Sequence, residues 1–188
     1  MSVPPAPPIL LASVSPQRRV ILEQLGIPFD VVAPRFEEVD GDPVANAAGK
    51  ARSVDGGDRP VLGVDTEVVV DGDALGKPDS ATDAEAMLER LSGRTHDVVS
   101  GLCLRSRAWE ELHAETTRVT FRALTARDLA HCVGSGEWQG RAGGYAIQGL
   151  GASLVERIEG DYLNVVGLPA ALLVRLLSER YAGVYGFG

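Results

Sequence analysis

The ten residues Val61-Leu62-Gly63-Val64-Asp65-Thr66-Glu67-Val68-Val69-Val70 constrain this chain more than any other stretch. The run is apolar on both sides of an extended backbone, which implies a buried strand. One carboxylate, Asp65, interrupts it. A buried carboxylate is costly unless a cation, a metal or hydrogen-bond donors compensate it, so Asp65 marks either a functional site or a satisfied polar network. By period-two alternation Glu67 shares its face and Thr66 points the other way.

The flanking patterns indicate an α/β arrangement. Ile9-Leu10-Leu11-Ala12 reads as a short buried strand, and Ser15-Pro16 suits the N-cap and first position of a helix that Gly26 stops. Phe29 to Ala33 reads as a second strand, completing strand, helix, strand. A small-residue helix is expected around Pro43 to Val54, and a hairpin at the Asp71-Gly72 turn. Thr82-Asp83-Ala84-Glu85 reads as a capping box opening the next helix. His96 to Arg105 and Leu112 to Phe121 read as a long antiparallel pair, and Thr125 to Asp128 as the cap of a helix running to Val133. Gly134 to Gly151 holds seven glycines, a density that suits tight turns or backbone wrapping a ligand. A strand over Ala152 to Ile158 and a helix starting at Pro169 follow. The expected layout is a flexible Pro-rich tail (1–8), one domain (9–182) and a frayed C-terminus (183–188).

Charge narrows the partners. Net charge is -8, which weighs against a nucleic-acid polymer, because such binders carry a basic excess. A small anion is still compatible, since a few placed cations suffice to hold it. Of the 18 basic residues only Lys50 and Lys77 are lysines. In a chain that otherwise uses Arg, they are candidates for places that need a compact ammonium; chance survival on solvated surface is the plainer alternative. No apolar stretch reaches membrane-spanning length, and MSVPPAPP lacks the basic region and apolar core of a secretion signal. Cytoplasmic residence without membrane attachment is the expectation. Cys103 and Cys132 have neither CxxC spacing nor a disulfide framework around them.

Ser13-Val14-Ser15-Pro16-Gln17-Arg18-Arg19 places two hydroxyls in a turn and two arginines in the first turn of a helix. Cations there oppose the helix dipole unless an anion is also bound, which makes Ser13, Arg18 and Arg19 phosphate candidates; a solvated arginine pair is the alternative. Two nucleotide motifs fail. Gly76-Lys77-Pro78 has Asp71 where a P-loop needs its first glycine and Pro78 where it needs a hydroxyl. Gly134-Ser135-Gly136 has Gln139 where a dinucleotide fingerprint needs glycine. His96, His113 and His131 have no partners at metal-ligand spacing, and Trp109 and Trp138 suit packing better than base stacking.

Taken in order, LASVSPQRR (Leu11 to Arg19), Phe36-Glu37-Glu38, Gly49-Lys50-Ala51, GVDT (Gly63 to Thr66), GKP (Gly76 to Pro78), SGRTHDV (Ser92 to Val98), AGGYAIQG (Ala142 to Gly149) and NVVGLP (Asn164 to Pro169) resemble the Maf family of nucleoside triphosphate pyrophosphatases, also called septum-formation-inhibitor proteins. The resemblance runs from Ile9 to about Leu177. It implies an α/β fold with a mixed, elongated sheet flanked by helices in two lobes around a central cleft, and a homodimer. It implies hydrolysis between the α and β phosphates to a monophosphate and pyrophosphate, with Mg²⁺ or Mn²⁺. Carried over by motif, the site is Ser13, Arg18, Glu38, Lys50, Asp65, Lys77 and Gln148, with Asp65 as proton acceptor and Glu38 and Asp65 as metal ligands. Thr66 and Gln148 match the branch acting on dTTP and UTP rather than the 7-methyl-GTP branch. Gln17 matches neither, and the segment Val39 to Lys50 is shorter than usual. A non-hydrolytic nucleotide-binding regulator of septation is the reading from a different class; it would not need Asp65.

Overall fold

A computed structural model describes residues 6–187. Residues 1–5 and 188, part of the expected Pro-rich tail and C-terminal end, lie outside the described residues. The elements are β1 (Ile9–Leu11), α1 (Pro16–Gln24), β2 (Phe29–Val31), α2 (Pro43–Arg52), β3 (Val61–Val70), β4 (Asp73–Leu75), α3 (Ala81–Leu91), β5 (Thr95–Arg105), β6 (Glu110–Phe121), α4 (Ala126–Ser135), two 3-10 turns (Ala142–Gly144, Leu150–Leu154), β7 (Val155–Glu159), α5 (Tyr162–Val166) and α6 (Ala170–Tyr181). Seven strands form one sheet in the order β2-β1-β3-β5-β6-β7, with β4 paired to β3. It is mixed: β1 runs parallel to β2 and β3, while β4 is antiparallel to β3 and β7 to β6. The α/β class expected from the strand-helix-strand start is the one found.

The chain divides into two compact units. The first takes the described residues up to Asp65, Ser100–Glu115 and those from Gly167. Its core joins Leu10, Val61 and Cys103 of the sheet, and Ala12 just past β1, to Ala47, Ala48, Ala51 and Val54 of the α2 region. Small residues dominate because α2 lies almost on the backbone of the sheet. A Cβ added at Gly63 would stand 2.1 Å from the Ala47 carbonyl oxygen, and one at Gly101 2.1 Å from that of Pro43. These glycines of neighbouring strands β3 and β5 make the groove that receives the helix. Near the C-terminus Tyr185 is buried and donates its hydroxyl to the Pro7 carbonyl at 2.7 Å.

The second unit takes Thr66–Val99 and Thr116–Val166. Leu88, Leu91, Val98, Val119, Phe121 and Leu154 are buried within it. Asn164 spans two strands, donating to the Val98 carbonyl and to the Thr117 hydroxyl. His96 is buried, its Nε2 2.9 Å from the Tyr145 hydroxyl and its ring edge-on to Phe121. In the glycine-rich segment, Gly143 (φ 68°) donates its N–H to the Gly76 carbonyl, and a Cβ there would press on Val68 at 3.1 Å.

Several local expectations shift. Helix α3 is capped by Ser80, whose hydroxyl accepts the Asp83 N–H; Thr82 already lies inside the helix. Ser15 holds the N-cap position of α1, but its hydroxyl donates to Gln17 Oε1 instead of capping. Thr125 does cap α4 as expected, in a capping box with Asp128, and α4 runs on to Ser135. Residues Leu150–Leu154 wind into a 3-10 turn, so β7 starts at Val155 and not at Ala152. Both cysteines are free and buried.

Two stability predictions arise from this packing. Gly63→Ala is expected to lower unfolding free energy by roughly 3 kcal/mol, because backbone must move to admit the methyl group. Gly134→Ala, which meets nothing within 4 Å inside α4, should be neutral or mildly stabilising. Equal denaturation midpoints for the two variants would contradict the groove. Burial lowers the pKa of His96 to about 4. Its native environment therefore favours the neutral ring, and that stabilisation is complete above the unfolded value and lost as pH falls from 6.5 towards 4. The stability of the protein relative to that of His96→Phe should fall by about 2 kcal/mol from pH 7.5 to 4.5; a constant difference in urea titrations would refute this.

Candidate functional site

Asp65 is the last residue of the first unit on β3 and is 8% exposed. Its partners come from α2. With Ala47 and Ala51 seated against Gly63, the helix face carrying positions 46 and 50 meets the carboxylate, since residues four apart share a face. Lys50 Nζ lies 2.6 Å from Asp65 Oδ1, and Asn46 Nδ2 donates to Asp65 Oδ2 at 2.9 Å. The cation that compensates Asp65 is thus Lys50. Lys77, the other lysine singled out in the sequence, is exposed after β4 in the second unit.

The same ammonium holds a second acid: Lys50 Nζ is 2.7 Å from Glu38 Oε1. The two carboxylates differ in setting, the Glu38 side chain being 46% exposed and that of Asp65 11%. Glu38 sits on an irregular loop that α2 grips on either side of it. Phe36 packs on Gly49, where a Cβ would stand 2.1 Å from the ring. Val39 bonds to Asn46 through both its N–H and its carbonyl, each at 2.8 Å.

Helix α1 supplies a second cation. Arg18 is buried, donating from Nη1 to Ser13 Oγ at 2.9 Å and from Nε to the Gly167 carbonyl at 2.9 Å. Desolvation pulls its pKa below the ordinary arginine value, and the negative charges of Asp65 and Glu38 oppose that shift. Ser13 Oγ also accepts the Ser15 N–H at 3.2 Å. Accepting two bonds leaves that hydroxyl its proton to donate.

Ser13, Arg18, Glu38, Lys50 and Asp65 therefore come together in the first unit. Arg19 is exposed on α1, and Gln17 is half-buried with its amide oxygen held by Ser15. In the second unit Thr66 is half-buried in β3, and Gln148 is exposed between the two 3-10 turns. Sequence reasoning missed Asn46 and Gly167. The signal for Asn46 was its i,i+4 spacing from Lys50 in an otherwise small-residue helix.

Among the described residues no group of three or more His, Cys, Asp or Glu side chains gathers as a metal ligand set. Two carboxylates around one cation do suit Mg²⁺ or Mn²⁺, because such ions commonly take one or two protein carboxylates and complete their shell with water and phosphate oxygens. Chemically, the arrangement offers oxygen ligands, a buried proton acceptor and fixed cations on adjoining elements. No helix among the described residues is long and apolar enough to cross a membrane.

Several known proteins are similar to this chain. The dTTP/UTP pyrophosphatase of Deinococcus radiodurans is 46% identical over 191 residues, covering 97% of each chain. That of Nitratidesulfovibrio vulgaris is 46% identical over 189 residues, covering 94% of this chain and 90% of its own. That of Thermus thermophilus is 44% identical over 183 residues, covering 93% and 95%. A family model described as Maf-like protein matches residues 8–180, and with that span the chain belongs to the Maf family.

Proposed function

We propose that the chain hydrolyses nucleoside triphosphates between the α and β phosphates, releasing a nucleoside monophosphate and pyrophosphate, with dTTP and UTP preferred. The observation that carries this reading is the buried Asp65 carboxylate held against Lys50, with Glu38 on the same ammonium. A protein that only bound nucleotide would need the cations but no buried acid. The names of the relatives support the substrate class.

Catalysis of this kind is mostly positioning and charge neutralisation. Arg18, fixed by Ser13 and Gly167, faces phosphate oxygens with an oriented guanidinium, and the Ser13 hydroxyl donates its proton to one of them. Lys50 adds a point charge. Asp65 accepts the proton of the attacking water: the water oxygen bonds to phosphorus, its proton moves to the carboxylate, and the phosphoanhydride bond to pyrophosphate breaks. Both Asp65 oxygens already accept a hydrogen bond, yet each keeps a second lone pair for that proton. Glu38 and Asp65 would hold Mg²⁺ or Mn²⁺, whose chemistry is to offset phosphate charge and acidify water. Roles for residues of the second unit rest on motif resemblance: Lys77 as a phosphate cation, Thr66 and Gln148 as readers of the base. Arg19 completes the phosphate candidates, and Gln17 sets the departure from both specificity branches. A cytoplasmic homodimer acting on the nucleotide pool completes the proposal.

The test is pyrophosphate release from a panel of normal, modified and 7-methylated triphosphates, with and without Mn²⁺. Turnover of dTTP and UTP that disappears on chelation is expected; binding without turnover on every substrate would instead mark a regulator. Asp65→Asn should fold and lose about 100-fold or more in kcat, the usual range for a lost general base. Lys50→Arg should cost at least about tenfold, because a longer side chain with donors fixed in one plane would have to shift to address both acids. Wild-type rates in either variant would remove that residue from the reaction.

A further inference from the structure

We propose that Asn46 is a positioning residue that locks the proton acceptor and the Glu38 loop into one geometry; this rests on the reaction proposed above. Its carboxamide is 1% exposed and makes three hydrogen bonds. Oδ1 accepts the Val39 N–H at 2.8 Å, while Nδ2 donates to the Val39 carbonyl at 2.8 Å and to Asp65 Oδ2 at 2.9 Å. The orientation of the amide is forced. Val39 N–H needs an acceptor, whereas a carbonyl and a carboxylate need donors, so the flipped group would break all three bonds.

An amide is the group this place requires. Aspartate would keep the acceptor for Val39 N–H but set a like charge against Asp65, beside Glu38 and within the field of Arg18 and Lys50. Leucine would match the volume and leave Val39 and Asp65 without those partners. Because the Val39 bonds adjoin Glu38 in sequence, one side chain sets where both acids stand relative to Lys50. Asn46 touches no reacting atom in this scheme. Its contribution passes through Asp65 and Glu38, so it belongs in kcat and not in nucleotide affinity.

The experiment measures kcat and KM for pyrophosphate release from dTTP in Asn46→Asp and Asn46→Leu, with thermal melting and hydrogen-deuterium exchange over residues 35–42. The expected result is a folded protein with kcat lowered at least tenfold, KM within about threefold of wild type, and faster exchange in the loop. If neither variant folds, Asn46→Ser is held to the same criteria. Unchanged kcat in folded variants overturns the inference. So does a loss of activity that a lower folded fraction accounts for in full, or loop exchange that stays at the wild-type rate. An inactive wild type would fail the proposed reaction instead, and the exchange data would still decide whether Asn46 holds the loop.

Discussion

Helix α2 reaches the sheet only because Gly63 and Gly101 carry no side chains, and the position of Asp65's partners depends on that approach. A methyl group on either strand would collide with helix backbone, and backbone cannot rotate aside as a side chain can. Once the helix is seated, its pitch leaves no choice about which residues reach the carboxylate. Positions 46 and 50 stand one turn apart on a single face, and they supply an amide and an ammonium. The loop bearing Glu38 is then gripped by the same helix through Gly49 and Asn46.

A charge arrangement of this kind is a poor way to gain stability. Bringing Lys50 and Asp65 out of water costs several kcal/mol per ion, which their attraction and the Asn46 bond at best offset. Well-packed apolar residues would do as well or better. Arg18 is buried at a similar cost, offset by Ser13, Gly167 and the field of the two acids. That three ionised groups are nonetheless drawn inside one unit is understandable if a polyanion is their working partner, since Lys50 and Arg18 then gain a second set of oxygens.

Much of this was legible before any coordinates. Asp65 announced itself because a carboxylate in an apolar strand needs an explanation, and Lys50 because lysine is rare in this chain. Arg18 was visible as a cation at the wrong end of a helix. The rest depended on tertiary register. Nothing local distinguishes Gly63 or Gly101 from any other strand glycine, and Asn46 resembles an ordinary solvated polar residue until α2 is placed on β3. The cap of α3 was misassigned because Ser80-x-x-Asp83 and Thr82-x-x-Glu85 overlap, and only the observed helix start chooses between them. Lys77 attracted the same reasoning as Lys50 from its rarity, and its side chain is exposed where that of Lys50 is buried.

The contrast between the two lysines has a geometric basis at Lys50. A single nitrogen stands 2.7 Å from Glu38 and 2.6 Å from Asp65, so one tetrahedral ammonium addresses acids from two different directions. A guanidinium spreads its donors around a plane and favours two oxygens of one carboxylate side by side, as Arg122 does with Asp128. In a chain where arginine supplies 16 of 18 basic residues, this is a site whose two acids meet a single lysine nitrogen. A compact ammonium suits this place because the two acids converge on one point.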